Sequence, residues 1–336
     1  MATIKDVARH AGVGLGTASR VISGNGSVAP ATVERVRRAI EELGYRPSHT
    51  ARSLLSGVSN MIGVYIPILK GSFYIPLLRI IDAELRANGQ HMVLAFGTGH
   101  GNARKQARDG IEFLIDRGCD GLMVMSNNLL DEDLSVLGAK AGRIVVHNHL
   151  LPSIQSQCFT VDHELGGRLA ARALLDQGHR HFATITGPST APDNTIRVRS
   201  FMAELAAAGI SPRAVPTATA DFSPAGGRDA AAKLVSRQRY FSALFCANDE
   251  MAVGALSYLQ QAGFNIPGRI SVIGYDDVES AEFCAPALTT VHMPWREVTI
   301  NAVRALLNTC YGTAFPIELD LPVSVAWRRS VGPPPD

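Results

Sequence analysis

From residue 61 onward, short runs of β-branched and apolar residues alternate with longer stretches whose apolar positions recur three and four apart. The runs MIGVYIP, HMVLAFG, GLMVM and RIVVHN alternate with IPLLRIIDAELRANG, ARKQARDGIEFLIDRG and DEDLSVLGAKAG. The cycle resumes with FTVDH, GGRLAARALLDQG, FATITG, IRVRSFMAELAAAG, ALFCAND, MAVGALSYLQQAG and ISVIGYDD. Short apolar runs bounded by turn residues read as buried strands, and the longer periodic stretches read as helices. Their regular alternation predicts an α/β fold of βαβ units, with parallel sheets covered by helices on both faces. One sheet would have to hold too many strands. The pattern therefore predicts two doubly wound lobes with a cleft at the C-terminal ends of the strands.

Before residue 61 the pattern is helical throughout. Ile4, Val7, Ala8 and Ala11 fall on one face, with Lys5, Asp6, Arg9 and His10 on the other and Thr3 placed to cap the start. Gly12 supplies a turn, residues 15 to 23 form a second helix, and Val21 and Ile22 pack back on the first. In TVERVRRAIEELGY, Val33, Val36, Ala39, Ile40 and Leu43 share a third helical face, with Pro30 at its start and Gly44 at its end. The stretch GVGLGTASRV has the alternating glycines of a dinucleotide-binding turn. That turn needs a strand before it and a third glycine after it, and here a helix precedes and Thr17 stands in the glycine's place. Three short helices with a basic face predict a helix-turn-helix, whose second helix enters the major groove of DNA.

Charge sharpens this division. The 336 residues carry a net charge of +2, but residues 1–59 hold eight Lys/Arg against four Asp/Glu, leaving the rest at −2. A basic segment on a mildly acidic body points to a polyanion-binding module joined to something that binds no polyanion. At 46% hydrophobic and 18% charged residues, the chain can bury a large core. No apolar run approaches the ~20 residues of a membrane span, and MATIKDVARH lacks the apolar region of a signal peptide. A cytoplasmic protein without membrane association is expected. The five scattered cysteines form no CxxC pair and are read as reduced. His147-x-His149 and His179-x-His181 have no third ligand at metal spacing. There is no GxSxG, P-loop or HExxH, and the adjacent Asp276 and Asp277 point apart at a strand end. No enzyme, metal or cofactor is expected.

TIKDVARHAGVGLGTASRVISGNGSVAPATVERVRRAIEELGYRPSHTARSL closely resembles the DNA-binding end of the LacI/GalR family of bacterial transcription regulators. The helix, GV, a second helix ending in SRV, the third helix, ELGYRP and ARSL run without a gap, and the resemblance continues to the end of the chain. It implies a three-helix helix-turn-helix domain over 1–47, a hinge helix and linker over 48–59, and a two-lobed core over 60–331 like that of periplasmic binding proteins. The N-lobe would take about 60–160 and 291–319, and the C-lobe about 161–290 and 320–331. By resemblance, the DNA-binding set is Thr3, Leu15, Gly16, Thr17, Ser19, Arg20, Asn25, Ala51, Ser53 and Leu54. Leu15 and Gly16 occupy positions that vary with operator sequence. Arg20 would contact guanine, and Thr17, Ser19 and Asn25 would donate to phosphates. A helix cap or a solvent-facing polar side chain on the helix is the competing account of Thr17 and Ser19. Leu54, beside Ala51 and Ser53, matches an apolar wedge that hinge helices insert into the minor groove; the alternative is a linker leucine packed on the core.

The effector-binding candidates follow strands: Phe73 and Tyr74, Asn148, Arg197 at the opening of a helix, Phe222, Asn248, Asp276, and Trp295 after LTTVHMP. A pyranose needs such a set, an aromatic face plus fixed amide, carboxylate and guanidinium groups. The resemblance matches Arg197, Asn248 and Asp276 to hydroxyl contacts, and Phe222 and Trp295 to ring packing. Core packing is the competing account of Phe73, and Asp249 and Asp277 are expected to cap the following helices. NHLLPS and the last third of the chain look more like the galactose-regulator branch than the purine branch, and Asn148 stands where many relatives carry Asp. The resemblance thus implies a homodimeric repressor on double-stranded, pseudo-palindromic operator DNA, released by a neutral sugar or glycoside such as a galactoside. The tail carries no leucine heptads, so a dimer is expected, not a tetramer. A purine-type corepressor and a solute-binding module without gene control are the alternatives.

Overall fold

The computed structural model describes residues 2–23, 27–45, 57–237 and 240–335. Asn25 and the expected hinge residues Ala51, Ser53 and Leu54 lie outside the described residues. The chain divides into two compact units, residues 1–61 with 118–120, and residues 62–117 with 121–336.

The first unit carries the helices α1 (Ile4–His10), α2 (Leu15–Ser23) and α3 (Pro30–Glu42). Thr3 starts α1 with a capping box: its backbone N–H and Oγ1 donate to Asp6 Oδ2 at 3.0 and 2.7 Å, and Asp6 N–H donates to Thr3 Oγ1 at 3.4 Å. Gly12, at φ +62°, makes the left-handed turn that leads towards α2. Pro30 sits in the first turn of α3, where its missing N–H costs nothing. Val7, Ala11, Val36 and Ala39 are buried together, with Val13, Val21, Ile40, Leu43 and Tyr45 packed against them. His10 Nε2 lies 2.6 Å from Glu42 Oε2, linking α1 to α3.

The second unit is built on two sheets. The first has the order β2-β1-β3-β4-β5, from β1 (Met61–Ile66), β2 (His91–Phe96), β3 (Gly121–Val124), β4 (Ile144–His147) and β5 (Cys158–Phe159). β1 pairs parallel with β3, β3 with β4, and β4 with β5. The second has the order β11-β10-β9-β8-β6-β7, from β6 (Phe182–Thr186), β7 (Thr217–Thr219), β8 (Ala243–Cys246), β9 (Ser271–Asp276), β10 (Thr289–His292) and β11 (Ser324–Ala326). Its neighbours pair parallel except for antiparallel β10 and β11. After β10, the helix Trp295–Tyr311 packs on β3 and β4 of the first sheet before β11 pairs in the second. Strands β3, β4 and β8 are buried at every position, as continuous apolar runs between two helical layers require.

The sequence pattern fails at DEDLSVLGAKAG. Instead of an α-helix, Asp131–Arg143 is a 3-10 segment broken at Gly138 (φ 48°, ψ −123°). Asp133 accepts from the Leu130 N–H at 2.9 Å and from Arg104 Nε at 2.8 Å, anchoring the segment by its start. Among the described residues, no helix is long and apolar enough to cross a membrane.

Candidate functional site

α2 presents an exposed surface. Leu15, Gly16 and Arg20 are exposed, Thr17 and Ser19 are half-buried, and Ala18 faces the core. Gly14 stands just before the helix and its carbonyl accepts from Thr17 and Ala18. A Cβ added at Gly14 or Gly16 would meet nothing within 4 Å. Arg20 Nε donates to the Gly16 carbonyl at 3.2 Å, and Arg35, Arg37 and Arg38 are exposed on α3. Thr3 holds the capping box described above.

In the second unit, loops at the C-terminal ends of strands from both sheets enclose a cavity of about 780 Å³. Phe73, Tyr74, Asn148, Arg197, Phe222, Asn248 and Asp276 all line it. Trp295 does not: it is 6% exposed and packs edge-on to Phe73 with ring centroids 5.3 Å apart. Its Nε1 donates to Asp276 Oδ1 at 3.2 Å, so it acts on the cavity through that carboxylate and through the Phe73 ring.

Arg197 is the centre of the floor. It lies in the second turn of the helix Pro192–Ala207 and not at its opening, because Pro192 starts the helix earlier. Its guanidinium is buried. Nη2 donates to Asp193 Oδ2 at 2.5 Å, Nη1 donates to the Ala247 carbonyl at 2.7 Å, and Asp276 Oδ1 is 3.7 Å from Nη1. The guanidinium carbon lies 4.2 Å from the centroid of the Tyr275 ring. Its Nε has no hydrogen-bond partner among the described residues. A buried donor left without an acceptor is costly. Burial pushes the Asp276 carboxyl up to about 7, against the lowering pull of Arg197.

Asp193, which the sequence reading did not single out, joins the two lobes. It accepts from Asn127 Nδ2 at 2.9 Å and from Asn148 Nδ2 at 3.3 Å. Asn148 Oδ1 in turn faces His163 Nε2 at 2.8 Å, and His163 Nδ1 lies 3.0 Å from the Tyr275 hydroxyl. Glu250 makes a second tie, accepting from both the N–H and the Oγ of Ser72. The Pro192 start signal and the strand-end rule could have exposed Asp193 and Glu250.

Among the described residues five non-glycine residues have positive φ, and four of them (Asn148, Phe222, Asp276 and Asp277) stand at strand ends on or beside this cavity. Such strain gathers where a site dictates side-chain direction. Phe222, at φ +65°, is held by Asn248, whose Nδ2 donates to the Phe222 carbonyl at 3.1 Å while its Oδ1 accepts from Met251 N–H. Gly187 makes room for the ring, since a Cβ there would lie 2.2 Å from it. The expected helix caps are thus reassigned. Asn248 caps the helix Asp249–Gln261, whereas buried Asp249 accepts from Tyr275 N–H, Val278 N–H and Thr290 Oγ1. Asp277 pairs with His292 and Arg328 at 2.8 and 2.7 Å. Strand-end neighbours Asp249 and Asp277 are consumed in tying strands together, which no local pattern signals.

Residues 3–48 match a profile described as bacterial regulatory proteins, lacI family, and residues 171–331 match one described as a periplasmic binding protein-like domain. The chain is 34% identical to the HTH-type transcriptional regulator GalS of Salmonella typhimurium, covering 98% of both proteins. It is 36% identical to the HTH-type transcriptional repressor PurR of Vibrio vulnificus, covering 92% of both. It also superposes on the Lac repressor dimer bound to operator and the anti-inducer ONPF, with a TM-score of 0.83 at 27% identity over 98% of this chain and 99% of that one.

Proposed function

The chain belongs to the LacI family of bacterial regulatory proteins, transcriptional regulators and not enzymes, and on that premise we propose that it represses transcription as a homodimer on a pseudo-palindromic operator. The DNA-reading residues are Leu15 and Arg20, with Thr3, Thr17 and Ser19 towards the backbone and Gly16 at a base-reading position without a side chain. A neutral sugar or glycoside of the galactoside type binds the cleft and releases the repressor. Because operator and sugar then act on one equilibrium, each weakens the other's binding by the same factor.

The observation that carries this reading is the Arg197 guanidinium at the cavity floor, set among Asp193, Asp276, Asn148 and Asn248. Around it the cavity wall holds the carboxylates of Asp193, Asp221, Glu250 and Asp276 against the cations Lys70 and Arg197. Such a wall accepts from hydroxyl groups and disfavours an anionic ligand. Tyr74, Phe73 and Phe222 offer ring faces, and Trp295 orients Asp276 from behind. A gel shift on the DNA upstream of the chain's own gene, repeated with a panel of sugars, tests the proposal. Retarded DNA that is freed by a galactoside supports it.

The likeness to a purine repressor favours a second reading, in which a purine acts as corepressor. Retardation that appears only when a purine base is added selects that reading over induction.

A further inference from the structure

Resting on the reading of the cleft as a ligand site, we propose that His163 is a positioning residue for that ligand. It pins the Asn148 side chain so that the amide N–H, and not the carbonyl, is what a ligand meets. Asn148 follows β4 of the first sheet and lines the cavity. His163 opens the helix His163–Leu175, and Tyr275 lies in β9 of the second sheet. His163 is buried and does not itself line the cavity, so it acts there through Asn148.

The direction of each hydrogen bond in this group follows from one end. The Asp193 carboxylate, paired with the Arg197 guanidinium, can only accept. The Asn148 atom 3.3 Å from it is therefore the amide nitrogen, which turns Oδ1 to His163. That oxygen also only accepts, so His163 Nε2, at 2.8 Å, must carry a proton and donate it. Burial pushes the His163 ring down to about 3, so at neutral pH it carries that one proton alone. Nδ1 is then an acceptor, and the Tyr275 hydroxyl donates to it at 3.0 Å. Thr160 Oγ1 adds a longer donor to Asn148 Oδ1 at 3.5 Å. Packing holds the rings in this register. His163 stacks on Tyr275 with centroids 6.0 Å apart. Gly166, one turn along the same helix, makes room for the Tyr275 hydroxyl, since a Cβ there would lie 2.3 Å from its oxygen. An amide free to turn over offers a ligand either a donor or an acceptor, whereas this one is fixed. Of the two hydrogens on Asn148 Nδ2, Asp193 takes one and the other is left for a ligand oxygen. The first lobe thus supplies a donor opposite the accepting Asp276 of the second, which selects for a ligand oxygen at Asn148 and against a group that can only donate.

The test begins on the full-length protein without ligand. Its histidine rings are labelled with nitrogen-15, and the His163 signals are assigned by their loss in His163→Gln. At pH 7 the His163 ring is expected to be neutral, with its proton on Nε2. A proton on Nδ1, a mixture of the two tautomers or a charged ring overturns the proposal, whatever the cleft binds. Calorimetric titration with D-galactose then reads the effect on a ligand. His163→Leu, which cannot donate, is expected to bind about tenfold more weakly than the unaltered protein. His163→Gln, whose amide N–H can replace the ring donor, is expected to stay within about threefold. Equal losses in both variants, or no loss in His163→Leu, overturn the positioning role and leave the sugar reading standing. If D-galactose does not bind the unaltered protein, the galactoside reading falls, and the tautomer alone decides whether His163 holds Asn148.

Discussion

Asn127 Nδ2 donates to Asp193 Oδ1 at 2.9 Å, so the loop after β3 in one lobe holds the first turn of a helix in the other. The same carboxylate accepts from Asn148 and from Arg197. It therefore serves both the charge balance of the cleft floor and the tie between lobes. Asp193→Ala leaves the buried Arg197 with Asp276 at 3.7 Å as its carboxylate partner. Removing one partner of a buried ion pair costs roughly 3–5 kcal/mol, and the midpoint of thermal unfolding should drop by on the order of 10 °C. Asp193→Asn, which retains an acceptor, should lose less. An unchanged midpoint in Asp193→Ala would show that the pair contributes nothing to the fold.

The raised Asp276 carboxyl gives sugar binding a pH dependence. A hydroxyl donor favours the ionised carboxylate, which in the free protein is complete only above about 7. Affinity should therefore be highest above neutrality and fall as pH drops through about 7, by up to tenfold per unit. Asp276→Asn should bind more weakly with a flatter profile. Titrations across that range that are flat in the unaltered protein, or rise towards acid, count against a hydroxyl at this carboxylate.

His147 and His163 are pushed down to about 3 by burial. Below an unfolded-state value of 6.5, the unfolded chain binds protons that the folded chain refuses. Their contribution to stability is thus whole above about 6.5 and is lost as pH falls towards 3, at about 1.4 kcal/mol per unit for each. Asp276, held high, contributes with the opposite sign, because its folded form takes up a proton first as pH falls. Comparison with His163→Gln isolates the histidine. Urea midpoints of the two proteins should converge or cross as pH is lowered from 7 to about 5, and parallel midpoints would refute the assignment.

At Gly16, the space around the helix leaves room for a side chain. Gly16→Gln should stabilise α2 by up to ~1 kcal/mol and create a preference at one operator base pair, read by selection from randomised operators. An unaltered preference would remove Gly16 from the base-reading positions.

The parts of the fold legible in the sequence are those set by periodicity. α1, α2 and α3 follow from apolar spacing and from Thr3, Gly12 and Pro30 at their ends. The buried runs become strands, and the strand-end rule leads to Asn148, Phe222 and Asp276. What the sequence hides is where side chains are spent. Asn248 and Asp249 are neighbours of similar chemistry, yet one caps a helix and supports Phe222 while the other ties β9 to β10 from inside the core. Trp295 reads as a ring-packing residue, but burial places it behind Asp276. Asp131–Arg143 has helical spacing yet winds as a 3-10 segment with a break at Gly138. β7, three residues with exposed threonines at both ends, carries no apolar run to announce it.

The left-handed backbone at Asn148, Phe222 and Asp276 has a consequence for the evolvability of the protein as a sensor. At Asn148 and Asp276 most replacements for Asn or Asp add backbone strain, and at Phe222 the ring is fitted against Gly187, so the cavity floor resists retuning. The turn at Thr98–His100 is set by a side-chain clamp, and Phe96 and His100 project from it without comparable constraint. New ligand preferences, natural or engineered into a biosensor, should therefore accumulate on the cavity wall around Phe96 and His100 while the floor stays as it is.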